Sequence, residues 1–99
     1  MEDLQNTYGD ANFVKCFNSV GSAVMVDPDF GGAQATMFIA GNNAGAKDEV
    51  TAILNQFGWQ AEDCGNAEAA RAIEPLCMLW CIRGFKENKW YHAFAYLKK

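Results

Sequence analysis

Basic residues are scarce in this chain. Lys and Arg number eight against twelve Asp and Glu in 99 residues, which leaves a net charge of −4. Only Lys98 and Lys99 adjoin, so the clustered cationic surface that a nucleic-acid duplex requires is missing, and no nucleic-acid partner is expected. Long apolar runs are missing too. The longest, Leu76 to Ile82, has seven residues, where a bilayer crossing needs about 20, so no membrane partner is expected. Met1 to Asn12 is polar and acidic, unlike the basic start and apolar stretch of a signal peptide, and a cytoplasmic location is expected. Proline occurs twice and histidine once. What the chain does have is apolar substance: 51% hydrophobic against 20% charged residues, which excludes a disordered polymer. The length suits one domain spanning residues 1–99. Scaling from the mass gives a folded surface of roughly 5,600 Å², with about 65% of the unfolded chain's surface buried.

Four cysteines, Cys16, Cys64, Cys77 and Cys81, raise the question of disulfides. Nothing suggests secretion, and two of the four lie within apolar runs. Free, buried thiols in a reducing compartment are the expectation.

Several segments declare their structure. Phe13-Val14-Lys15-Cys16-Phe17 is β-rich and predicts a first strand. Asn18 to Val26 suggests a short helix ended by Asp27-Pro28-Asp29, with Gly31-Gly32 as a turn. Thr36 to Ala40 is apolar on both faces, as in a buried parallel strand. Asn43 then offers an N-cap for the clearest helix, in which Val50, Ile53, Leu54 and Phe57 recur at helical spacing until Gly58 ends it. Trp59 to Cys64 predicts a third strand. A helix from Ala67 must kink or restart at Pro75, because proline lacks an amide donor. Leu76 to Ile82 is apolar all round, so no face of it tolerates water. The alternation Trp90, His92, Phe94, Tyr96 predicts a final strand, with a helix as the rival reading. The order β-α-β-α-β-α-β implies an α/β fold. Its small, mostly parallel sheet would have a right-handed first crossover and a last strand antiparallel at the edge.

The candidate chemical signals are sparse. Gly41-Asn42-Asn43-Ala44-Gly45 sits between a strand and a helix, yet its spacing is neither G-x-G-x-x-G nor the P-loop, and it reads as a turn and cap. Cys77 and Cys81 share a helix face and could in principle supply two metal ligands. They fall short of a four-ligand zinc set, so no metal site is assigned. His92 has no evident serine or acid arrangement around it and reads as a half-buried residue. Glu74 before Pro75 could cap a new helical turn or line a pocket. Asn18 and Ser19, just past the first strand, lie where α/β sheets bind ligands, and a self-satisfied turn is an equal reading.

Taken together, Val14 to Gly21, Met25 to Gly32, Met37 to Gly41, Phe57 to Trp59, Ala69 to Arg71, Glu74 to Trp80 and His92 to Phe94 resemble the C-terminal half of deazaflavin-coenzyme-dependent NADP oxidoreductases. The resemblance runs from about Leu4 to Leu97, with the motifs in the family's order. It implies a Rossmann-type fold, with NADP or a flavin or deazaflavin as cofactor. It also implies a small-molecule ligand near Asn18 and Ser19, with Glu74 and Met78 in a pocket wall. The family's glycine-rich pyrophosphate turn belongs to its first half and has no counterpart among these residues, so its phosphate-binding positions are not carried over.

Complete reductase activity is therefore not the first expectation. A self-associating binding or interaction module is, because half of a Rossmann sheet leaves a strand edge and apolar faces exposed. The simplest repair is a homodimer through Leu76, Leu79, Trp80, Ile82 and Trp90. The alternative is an oxidoreductase whose site is rebuilt at a dimer interface or completed by a separate nucleotide-binding chain.

Overall fold

The computed structural model describes residues 1–21 and 24–98. Its centre is a mixed sheet, built among the described residues from β1 (Val14–Lys15), β2 (Thr36–Gly41) and β3 (Gln60–Asp63), with β2 in the middle. β2 pairs in parallel with β3, Thr36 opposite Gln60 and Ile39 opposite Asp63, and antiparallel with β1, Val14 opposite Gly41. The α/β class and the largely parallel pairing follow the sequence reading. The expected right-handed crossover between the first two strands does not arise, because β1 runs against β2.

The helices are α1 (Glu2–Thr7), α2 (Ala44–Phe57), α3 (Ala70–Ile73) and α4 (Leu76–Glu87), and a 3₁₀ turn at Ala67–Ala69 precedes α3. α2 matches its sequence signals closely. Asn43 Oδ1 accepts from the Ala46 amide at 2.7 Å, and Gly58 closes the helix in the left-handed region at φ 99°, its amide reaching the Asn55 and Leu54 carbonyls. Leu54 is buried, and Val50 and Phe57 pack beside it, whereas Ile53 is exposed. β2 alternates between two layers. Met37 and Ile39 join Leu54, Trp59, Val24 and Ala35 in the core on the α2 side, and Phe38 faces the α3 side, where it lines a cavity with Ala72 and Ile73. Trp59 satisfies its indole N–H on the Met25 carbonyl at 2.7 Å, which lets so large a side chain be fully buried.

Two segments depart from expectation for identifiable reasons. The first strand is short, because Phe17 turns the chain into the left-handed region at φ 59°. For a bulky side chain that conformation costs about 1–3 kcal/mol. Its ring packs 6.1 Å from that of Phe57, and its amide donates to the Met37 sulfur at 3.2 Å. Gly41 lets β1 come close: a Cβ there would stand 2.6 Å from the Phe13 carbonyl oxygen. The short helix expected over Asn18 to Val26 includes positions 22 and 23, which lie outside the described residues.

Residues 88–98 form no strand, although the alternation from Trp90 to Tyr96 predicts one. They run as a strap whose hydrogen bonds with β2 are the Thr36 amide to the Phe94 carbonyl at 2.8 Å and the Tyr96 amide to the Thr36 hydroxyl at 2.9 Å, and the Tyr96 ring meets Phe38 edge-on at 6.3 Å. The strap is pinned elsewhere. Trp80 and His92 stack at 4.6 Å, the Trp80 indole N–H donates to the His92 carbonyl at 2.9 Å, and His92 Nε2 lies 2.7 Å from the Trp80 carbonyl. A carbonyl can only accept, so the neutral His92 ring carries its proton on Nε2. This clamp fixes the strap on α4 and leaves His92, Ala93 and Phe94 all half-buried, with no strand-like alternation.

Candidate functional site

The break between α3 and α4 organises the first candidate region. In a continuous helix the Ile73 carbonyl would accept from the amide of Cys77. That amide instead bonds the Glu74 carbonyl at 3.3 Å, and Pro75 has no amide to give. The orphaned Ile73 carbonyl is taken by Asn18, whose Nδ2 donates to it at 2.5 Å. Asn18 thus joins the end of β1 to the helix break. Its Oδ1 is buried and has no partner among the described residues. Ser19 beside it is buried.

Glu74 corrects the capping expectation. No side chain caps α4, and the carboxylate turns outward to the Lys15 ammonium at 3.7 Å and the Met1 amino group at 3.5 Å. Pro75 takes the cap position at φ −63°, and α4 begins at Leu76. Asn18 and Glu74 therefore meet at the α3–α4 junction. Met78 stands one turn along, on the outer face of α4.

That outer face is the second region. Met78, Leu79, Ile82 and Phe85 are 66%, 56%, 51% and 75% exposed and form a continuous apolar stripe. Trp80, assigned to an interface from sequence, is buried within its own chain under His92 and the tilted ring of Trp90, 5.6 Å away. Trp90 lies against Gly84, where any Cβ would overlap its ring carbons, and its edge meets Phe85 at 5.4 Å. Leu76 is half-buried and lines a cavity of about 300 Å³ with Phe38, Cys64, Ala69, Ala72 and Ile73. No local sequence signal marks this cavity, because Phe38 and Leu76 come together only through the packing of α3 on β2.

The turn after β2 does not fit a phosphate. Asn43 Oδ1 is committed to the Ala46 amide, Asn42 Oδ1 accepts from Ala67 at 2.8 Å, and the space a Gly41 Cβ would take is filled by the Phe13 carbonyl. The thiols are free, and three are held above the ordinary cysteine range. Burial pushes Cys16 and Cys64 up, with Glu62 and Asp63 adding to the effect on Cys64, and burial and Cys77 push Cys81 up. None of these three is an activated nucleophile at neutral pH. Among the described residues no three His, Cys, Asp or Glu side chains gather to hold a metal, and no helix is long and apolar enough to cross a membrane.

No protein-family model matches the sequence. The chain is 35% identical over 79 residues to an F420-dependent NADP reductase of Methanocaldococcus jannaschii, an alignment covering 79% of this chain and 35% of that protein. Its fold superposes with TM-score 0.90 on a crystal structure from Arthrobacter sp. FB24 assigned provisionally as an F420-dependent NADP-reductase. That match is at 30% identity and covers 98% of this chain and 45% of that one. A hypothetical protein of Sinorhizobium meliloti matches at TM-score 0.60 and 30% identity, over 70% of this chain and 34% of its own. The chain thus spans less than half the length of these relatives. In sequence and fold it fits a C-terminal half of that reductase family, an oxidoreductase-like α/β domain.

Proposed function

We propose that this oxidoreductase-like domain acts by association, pairing with a second copy through the outer face of α4. The observation that carries this reading is the stripe of Met78, Leu79, Ile82 and Phe85, four large apolar side chains more than half exposed on one helix. Their total surface context agrees. The chain exposes 6401 Å², about 800 Å² more than a compact monomer of its mass, and a standard interface covers about 800 Å² per partner. An isologous dimer covers the same patch on both copies. Leu79 and Ile82 stand at its centre, Trp90 and Leu76 at its margins, and Trp80 supports it from beneath.

Light scattering on a size-exclusion column tests the reading. A particle of about twice 10.9 kDa is expected, reverting to monomer when Leu79→Asp places a charge in the stripe. A monomeric wild-type chain at micromolar concentration would overturn it.

A second reading is favoured by one observation, the buried Asn18 Oδ1 that has no partner among the described residues. A buried lone acceptor suits the ring N–H of a flavin or deazaflavin, or the carboxamide N–H of the nicotinamide in NADP, the cofactors that the relatives' names imply. The residues that would hold such a ring are Asn18 and Ser19, with Glu74 at the junction. A pyrophosphate would need residues other than these, in a partner chain or at a rebuilt interface. Hydride transfer would be the chemistry of the bound cofactor, and this chain's part would be to orient the ring. NADP or FMN eluting with the protein, and lost in Asn18→Ala, would favour this reading over association alone. Absence of binding at millimolar ligand would remove it for the chain on its own.

A further inference from the structure

Cys77 and Cys81 belong neither to the main core cluster nor to the sheet, and both are half-buried free thiols. They stand four residues apart on α4 and share one face, which Met78, three residues before Cys81, borders from the exposed side. At these spacings the Cβ atoms of an intact helix lie about 5–6 Å apart. A disulfide needs about 3.5–4.5 Å, so the helix keeps the two thiols from closing on each other. An ion bound through two metal–sulfur bonds of about 2.3 Å bridges that gap without unwinding a turn.

Thiolate with thioether is the donor set that selects a soft, low-coordinate ion. Zinc would want four ligands, and no histidine or carboxylate gathers with these thiols among the described residues.

We propose that Cys77, Cys81 and Met78 form a binding site for the soft monovalent cation Cu(I) on α4. Each thiol releases its proton to solvent as its sulfur takes the metal, no electron is transferred, and Met78 adds a neutral third donor. The half-exposed position lets water solvate the single negative charge of the bis-thiolate complex. All three donors lie within one chain, and Met78 is shared with the α4 stripe proposed above as the dimer face.

The test is an anaerobic titration of the full chain with Cu(I) against a chromogenic Cu(I) chelator. One ion per chain is expected. Cys77→Ser and Cys81→Ser should each weaken binding by at least the about 10–100-fold that even an outer-shell change produces. Met78→Leu should weaken it less, and Cys64→Ser should leave it unchanged. Affinity should rise with pH, because two protons leave, and X-ray absorption of the wild-type complex should show a shell of sulfur alone. Retention of the ion by Cys81→Ser, its loss in Cys64→Ser, or a shell containing nitrogen or oxygen would overturn the proposal.

Discussion

Gly84→Ala separates two forces that oppose each other on α4. Helix propensity alone makes alanine better than glycine by about 1 kcal/mol at an exposed interior position. At Gly84 the added methyl would overlap the six-membered ring of Trp90. That ring must move, and it holds contacts with Trp80 at 5.6 Å and Phe85 at 5.4 Å, each worth about 0.5–1.5 kcal/mol beyond burial. Overpacking of this kind costs about 1–3 kcal/mol. Set against the propensity gain, the variant should be less stable by about 1 kcal/mol. Urea unfolding at one fixed protein concentration measures this, since association would shift the midpoint. Trp90→Ala removes the obstacle, so Gly84→Ala made in that background should stabilise by about 1 kcal/mol, and the change of sign is the signature of direct contact. A Gly84→Ala chain that gains stability while its tryptophan fluorescence stays unchanged would refute the reasoning.

Asn18→Ala leaves the Ile73 carbonyl without its donor and should cost about 1–2 kcal/mol, less than a full unsatisfied group because the idle Oδ1 goes with it; chemical denaturation measures it. Asn43→Ala removes the α2 cap and should cost about 1 kcal/mol by the same assay. Alkylation of Cys64 by iodoacetamide should be slow at neutral pH although the residue is partly exposed, because its partial burial against the cavity wall, with Glu62 and Asp63, holds the thiol protonated. Its rate should climb about tenfold per pH unit and level off only above the ordinary thiol range. Mass mapping of the labelled peptide reads the rate, and a plateau near neutrality would contradict the raised thiol.

The parts of the fold legible in sequence are those whose signals are local. Asn43, the apolar spacing of Val50, Leu54 and Phe57, and Gly58 at φ 99° all act within α2. β2 announced its burial through an unbroken apolar run. Strand direction carries no such mark, so the antiparallel setting of β1 was unreadable. The alternation from Trp90 to Tyr96 was real, but the clamp between His92 and Trp80 overrode it. An α4 apolar on every side could not show which face turns inward, and rings from the strap settled that Trp80 does. At the candidate site Asn18 was legible as a strand-end residue. Its donor role was not, because nothing near residue 18 refers to a helix break at Ile73.

The clamp between Trp80 and His92 also bears on how the chain reaches this structure. It joins residues only 12 apart, a loop that closes in about 10–100 ns. The Asn18 tie to Ile73 spans 55 residues and the Arg71 tie to Glu2 spans 69. Closure entropy grows with that separation, so α4 and its strap can assemble as a local unit before the sheet exists. The ties to residues 2 and 18 then come last. Mutations at Trp80 should thus slow folding, whereas mutations at Asn18 should speed unfolding.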